Sequence, residues 1–362
     1  MTDEALYTRA AELGVQCDYH DVAGQHHRAD PAALAEVVAL LEADRAAADA
    51  VPRVGPPLHL SARGPLPIDA VVGAASVLVG GQPIELASRR SGDGSTIDLP
   101  ADLPLGCHVL EYETDAGPGE TVVVVAPPTM PRAERFAGRS GMFAPTYALW
   151  ERDRLLPSFA NLHHLARDLK RHGVDVVATL PLSATFLDDP YDPSPYSPVS
   201  RLHWNEVYLD DAGLPPAAVP PQGSYVDWRT LAARRRAQLV EAARSPELDA
   251  QLTAFVSAHP DVGAYARFRA QREADGDELV ARSHVLAQYL ADQQLRAIAD
   301  DPDAAALALD LPIGSSPQGY EVWADPTMFA HGATVGAPPD SFFAEGQNWG
   351  FPPPLPAAML TS

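Results

Sequence analysis

Residues 189–210, DPYDPSPYSPVSRLHWNEVYLD, crowd four prolines, three serines and three tyrosines into one segment. A loop that only joins two elements has little use for so many stiff residues beside so many ring faces. Proline fixes its own φ and restrains the residue before it, so Asp192, Ser194 and Ser197 are pushed toward extended backbone. A segment stiffened in this way loses little entropy when a ligand settles on it. It suits the presentation of Tyr191, Tyr196 and Trp204. Flat rings beside Ser, Asn and Arg donors match a sugar ring, which is apolar on its faces and polar at its rim. The alternative is a rigid surface loop with no ligand. A second segment, VGAPPDSFFAEGQNWGFPPP at 335–354, repeats the mixture of prolines, aromatics and amides. Phe342, Phe343 and Trp349 stand there among Gly and Pro, where no packed helix face forms. The two segments point to one pocket, with Tyr196 and Trp349 lining a shared cleft.

Other chemistry-bearing residues are less telling. QHHR and NLHHL each place two histidines side by side. Read as helical neighbours they point about 100° apart and cannot share a metal. A helical metal pair normally sits four residues apart, so no metal site is expected. Asp188 and Asp189 are adjacent carboxylates, expected to be solvated on a proline-rich loop. Glycine patterns that would cradle a nucleotide phosphate are absent, and no cofactor is expected.

The elements that must position these loops are legible from periodicity. Residues 1–52 read as helical: EALYTRAAELGV and DPAALAEVVALLEADRAAADA carry apolar residues at three- and four-residue steps, with YHDVAGQHHRA joining them. Asp30 before Pro31 is a good helix start. From about 53 to 130 the period becomes two, and short strand candidates such as PPLHLSA, QPIELASRR and GCHVLEYETD alternate with Gly, Pro and Asp, predicting a small β-sandwich. The proline-bearing APPTMPRAERFAG reads as a linker. From 134 to 362 strands and helices alternate. SGMFAPTYAL, then the helix PSFANLHHLARDLKRHG capped by Ser158 and ended by Gly173, then the apolar strand VDVVATLPL form a βαβ unit of a parallel sheet. The helix should bury Phe159, Leu162, Leu165, Ala166 and Leu169. Helical pattern dominates 227–299 before AAALALDLPIG, expected to be another buried strand. Loops at the carboxyl ends of such strands build ligand sites.

Composition narrows the partners. A formal charge of −22 over 362 residues disfavours nucleic acid or an anionic membrane, and 46% apolar residues suit a globular multidomain chain. No apolar run approaches the ~18 residues of a membrane span, and the acidic N-terminus has no export signal. Cys17 and Cys107 lie far apart, as expected of buried, reduced thiols in a cytoplasmic protein.

In order along the chain, LPL, DPSPYSPVSRLHWNEVYLD, LDLPIG, EVWADP and GAPPDSFFAEGQNWGFPP resemble the amylomaltases, the 4-α-glucanotransferases of glycoside hydrolase family 77. The resemblance spans roughly 138–354 and is closest to the actinobacterial-type branch, whose members carry extra N-terminal domains. It implies the first part of a (β/α)8 TIM-type barrel with a helical insertion, acting on maltooligosaccharides and α-1,4-glucans. The implied reaction transfers a glucan segment with retention, through a carboxylate nucleophile, an acid/base carboxylate and a third, stabilising carboxylate. By matching motif positions, Tyr196 resembles the sugar-stacking tyrosine, Asn205 the asparagine that fixes its loop, and Asp310 the aspartate ending the third strand. Asp340, Phe342, Gln347 and Trp349 fall on the lid loop and its base, while Ser341 stands where some members have tyrosine. The family's reacting carboxylates lie on strands after the GQNWG motif, and nothing matching them occurs here. The expectation is therefore an N-terminal portion of the enzyme with no catalytic residue of its own; a non-catalytic α-glucan-binding protein is the alternative.

Overall fold

The computed structural model describes residues 2–21, 23–49, 54–61, 64–127, 129, 138–150, 156–218 and 225–359. Two compact units emerge, residues 1–134 together with 354–362, and residues 135–353. Most of the expected linker at 126–138 lies outside the described residues.

The first unit opens with helix α1 (Asp3–Glu12), whose Leu6, Tyr7, Ala10 and Leu13 pack on Leu34 and Val38 of a second helix. The joining segment is more than a connector. It forms an antiparallel hairpin of β1 (Asp18–His20) and β2 (His26–Arg28), followed by α2 (Pro31–Asp49). Asp21 turns the hairpin by accepting from the N–H groups of Ala23 and Gln25, both at 2.9 Å. His26 and His27 therefore sit on a strand, and period-two geometry sends them to opposite faces. Asp30 caps α2 as expected, accepting from Ala32 and Ala33 N–H at 2.9 and 3.0 Å.

The period-two region forms eight strands among the described residues: β3 (Leu58–Leu60), β4 (Leu66–Ile68), β5 (Val72–Val79), β6 (Gln82–Glu85), β7 (Ser88–Ser91), β8 (Gly94–Ile97), β9 (Gly106–Thr114) and β10 (Gly117–Val125). They make a five-stranded sheet, β3-β10-β9-β5-β6, and a three-stranded one, β4-β8-β7. Leu66, Ile68 and Ile97 from the smaller sheet share a core with Val77, Leu110 and Val123 from the larger. QPIELASRR, read as one strand, splits between the two sheets as β6 and β7. β4 escapes the pattern because it is short and contains Pro67, which an edge strand tolerates. Cys107 on β9 is exposed and Cys17 half-buried, contrary to the expectation of buried thiols.

In the second unit β11 (Gly141–Phe143) leads through α3 (Phe159–Arg171) to β12 (Val176–Thr179), and the two strands pair in parallel. Ser158 caps α3 by accepting from Asn161 N–H at 3.3 Å, and Gly173 leaves it at φ +80°. Phe159, Leu162, Ala166 and Leu169 are buried and Leu165 is partly buried. Each fully buried Leu or Phe is worth roughly 1.5–3 kcal/mol, so this stripe fixes the helix more than its propensity does. A short hairpin, β13 (Phe186–Leu187) and β14 (Tyr191–Asp192), follows. The helical region resolves into α4 (Trp228–Ala242), α5 (Asp249–Ala258), α6 (Pro260–Ala274) and α7 (Glu278–Ala299). β15 (Ala306–Leu309) then joins β12 in parallel, giving the order β11-β12-β15. The expectation that this last strand is buried fails. Ala306, Ala308 and Leu309 are exposed because no described element packs over them, and only Leu307 is turned to the core. α8 (Tyr320–Ala324) and the small hairpin β16 (Gly336–Ala337) and β17 (Gln347–Asn348) complete the unit. The last helix, α9 (Pro356–Met359), belongs with the first unit: Asp44 of α2 accepts from Ala357 and Ala358 N–H at 2.9 and 2.8 Å.

Candidate functional site

The loops after β12 and β15 meet the 335–353 segment at a cleft of about 500 Å3. Tyr196 and Trp349 both line it, with Ile313 and Phe351 adding apolar wall and Asp192, Ser194 and Ser197 adding polar rim. Both rings keep a face to solvent, Tyr196 being 44% and Trp349 37% exposed. The Tyr196 hydroxyl donates to Asp310 Oδ2 at 2.7 Å. That hydrogen bond to the carboxylate, assisted by desolvation, holds the phenol above its ordinary pKa. An aromatic wall with a polar rim and one oriented hydroxyl–carboxylate pair can grip the face of a polyhydroxylated ring and bond its edge.

The remaining candidates fall outside this wall. Asn205 is buried: its Nδ2 donates to Thr185 Oγ1 at 3.0 Å and its Oδ1 accepts from Val207 N–H at 3.2 Å. It fixes the loop from behind, beside a second hollow of about 480 Å3 that shares Asp192 and Ser194 with the cleft. Asp340 spends Oδ1 on the N–H groups of Phe342 and Phe343, both at 2.7 Å, shaping the tip of its own loop. Phe342 projects outward, 91% exposed. Gln347 accepts from the Trp349 indole at 3.3 Å and so steadies that ring. Trp204, expected beside Tyr196, is packed half-buried on the helical core instead. Its backbone N–H and C=O are both held by the Gln288 side chain, at 2.8 and 2.9 Å. Tyr191 lies under the Arg229 guanidinium at 4.2 Å. Asp188 is ion-paired to Arg236 at 2.7 Å rather than simply solvated. Of the wall, Ile313 and Phe351 escaped attention, although both sit inside the quoted LDLPIG and GFPP motifs.

A buried ionic cluster anchors the root of the Tyr196 segment. Glu206 faces Arg269 at 3.3 Å, Arg269 pairs with Glu273 at 2.6 Å, and Glu273 meets His284 at 3.0 Å. Burial alone would raise both glutamates, but the Arg269 charge, with Arg236 and His284, holds them below the ordinary carboxylate range. His203, stacked on Tyr265 at 3.9 Å, is pushed down to about 4 by burial and stays neutral. A larger hollow of about 1130 Å3 beside α3 is lined by Arg167, Asp168, Lys170, Arg171 and Asp303. These charges already pair locally, Arg167 with Asp303, Lys170 with Asp175 and Arg171 with Asp168.

The chain is similar to known proteins along most of its length. The 4-alpha-glucanotransferase of Mycobacterium tuberculosis (strain H37Rv) is 28% identical over 335 residues, covering 75% of this chain and 45% of that protein. The chain thus spans about half the length of the curated relatives it matches. The crystal structure of amylomaltase from Corynebacterium glutamicum superposes with a TM-score of 0.79 at 20% identity, covering 99% of this chain and 62% of that one. Amylomaltase from Streptococcus agalactiae, solved in complex with acarbose, gives a TM-score of 0.50 over 60% of this chain and 53% of its own. The family model described as 4-alpha-glucanotransferase, glycoside hydrolase 77, matches residues 146–282 and 275–362, so that the cleft and both of its aromatic segments lie inside the match and the chain belongs to this family.

Proposed function

We propose that this chain is the glucan-holding part of a 4-α-glucanotransferase, acting on maltooligosaccharides and α-1,4-glucans in the cytoplasm. The observation that carries the reading is the meeting of Tyr196 and Trp349 in one cleft from segments far apart in sequence, with Asp310 bonded to the Tyr196 hydroxyl. In this reading β11, β12 and β15 are the first strands of a (β/α)8 barrel, and α4–α7 form its helical insertion. Tyr196 and Trp349 stack on glucose faces, Asp310 orients the Tyr196 hydroxyl toward a sugar hydroxyl, and Asn205, Asp340 and Gln347 position the segments that carry them.

Retaining transfer needs two carboxyls roughly 5–5.5 Å apart across the scissile bond. Among the described cleft-lining residues only Asp192 carries one, and Asp310 reaches the cleft through Tyr196. The full transfer reaction then requires carboxylates beyond those described at this cleft. The same observation favours a second reading, a non-catalytic α-glucan-binding protein. Intrinsic tryptophan fluorescence titrated with maltoheptaose tests the common core of both readings. A saturable change from Trp349 is expected; a flat response up to about 10 mM, which corresponds to less than about 4 kcal/mol of binding, overturns them. The purified chain alone should release no glucose from maltotriose, and turnover near 1 s⁻¹ would mean that a reacting pair is present after all.

A further inference from the structure

The Tyr196 segment is not held by its own prolines alone. Four consecutive residues of it, 198–201, are bonded to the stretch that follows β15. Pro198 C=O accepts from Ser316 N–H at 2.9 Å, and Val199 C=O accepts from Tyr320 N–H at 2.6 Å. Glu321 Oε1 then accepts twice, from Ser200 Oγ at 2.7 Å and from Arg201 N–H at 2.8 Å. This approach depends on a residue without a side chain. A Cβ on Gly319 would lie 2.6 Å from Val199 C=O and 2.9 Å from Ser316 C=O.

Proton counting makes the arrangement definite. Ser200 has one hydroxyl proton, and a carboxylate can only accept, so that proton goes to Glu321. Ser200 Oγ is then left to accept from Leu202 N–H at 3.1 Å and from His203 Nδ1 at 2.9 Å. This count places the neutral ring's proton on Nδ1 and leaves Nε2 at 3.4 Å from Asp261 Oδ2, with the ring flat against Tyr265. The carboxylate of Glu321 thus sets the orientation of a fully buried hydroxyl, a buried imidazole and a backbone N–H, four residues downstream of Tyr196.

We infer that Glu321, with Gly319 as the gap that admits it, is a positioning residue for the cleft. It clasps the loop after β12 to the segment after β15, which delivers Asp310, so that Tyr196 and Asp310 stay in register with Trp349. The inference rests on the reading of the cleft as a saccharide site and adds to it a residue that touches no sugar.

The test uses the full chain and the variants Glu321→Ala, Glu321→Gln and Ser200→Ala. Two quantities are measured: amide hydrogen exchange across 194–203, and maltoheptaose affinity by tryptophan fluorescence. Glu321→Ala is expected to speed exchange in 194–203 about tenfold, leaving α6 and α7 unchanged, and to weaken maltoheptaose by a similar factor. Glu321→Gln keeps an acceptor oxygen and should restore both to within about threefold. Ser200→Ala keeps the Arg201 bond and should fall between them, which preserves the test should Glu321→Ala not fold. Unchanged exchange in 194–203 for both Ala variants overturns the clasp, as does failure of Gln to rescue. If exchange responds as expected while the parent chain binds no maltoheptaose, the saccharide reading fails and the clasp stands as a loop anchor.

Discussion

Tyr196 concentrates the chemistry of the cleft in one side chain, a ring face for stacking and a hydroxyl committed to Asp310. The two contributions separate by substitution. Tyr196→Ala should weaken maltoheptaose about tenfold, equivalent to roughly 1.4 kcal/mol of lost aromatic contact, whereas Tyr196→Phe keeps the ring and should lose about threefold. Equal losses in a fluorescence titration would show that the hydroxyl, not the ring, does the binding. His203 governs a different property. Its pKa is about 4 in the fold against 6.5 for an ordinary histidine, chiefly because burial disfavours the charged ring. A depressed folded pKa means the unfolded chain binds the proton more readily. The stabilisation is complete above pH 6.5 and is lost as pH falls toward 4, on the order of 3 kcal/mol in total. Glu206 and Glu273, both held below the ordinary range, add losses of the same sign below about pH 4.5. Urea midpoints should therefore drop between pH 6.5 and 4.5, and His203→Asn should flatten that drop; an unchanged slope in the variant would assign it to other groups.

At the level of elements, the wall of the cleft is set by how closely two segments approach. A Cβ on Gly314 would lie 2.6 Å from Phe351 Cδ2 and 2.9 Å from Cγ. Gly314→Ala must therefore push the Phe351 ring, and overpacking of this kind typically costs about 1–3 kcal/mol. Because Phe351 and neighbouring Ile313 both line the cleft, the expected outcome is a lower maltoheptaose affinity with shifted Trp349 emission. Emission and affinity equal to the parent would show that Phe351 does not shape the site. The elements that periodicity finds readily are those that bury one face of a long run. α3 carries a full stripe into the core and α7 buries residues along its whole length, and both are legible. β1, β2 and β4 are three residues each, too short for period two to register, and β4 carries a proline as well.

On the scale of the molecule, the β-strand region has its own core, built from both of its sheets. We propose that residues 53–130 are a separate module, removable without unfolding the family-matching part. Calorimetry of the whole chain should then give two transitions, one of them matched by residues 53–130 produced alone. A single cooperative transition would refute separate modules. The second unit carries a three-stranded parallel sheet whose outer strands expose Met142, Phe143 and Leu309. Parallel sheets are ordinarily covered on both faces, so these side chains mark apolar surface left uncovered among the described residues.

Local chemistry of the chain determined the helix caps at Asp30 and Ser158, the change from helical to period-two structure, the parallel βαβ unit and the two stiff aromatic segments. Each of these follows from interactions within a few residues or from one repeating face. Tertiary structure alone decided which aromatic residues meet. Tyr196 and Trp349 share the cleft, whereas Trp204, in the same segment as Tyr196, is carried into the helical core by Gln288, and Phe342, seven residues from Trp349, points to solvent. It also decided that the apolar run ALAL at 306–309 is an exposed edge strand. Burial is set by neighbours that pack against a strand, and a run of alanine and leucine does not name its neighbours.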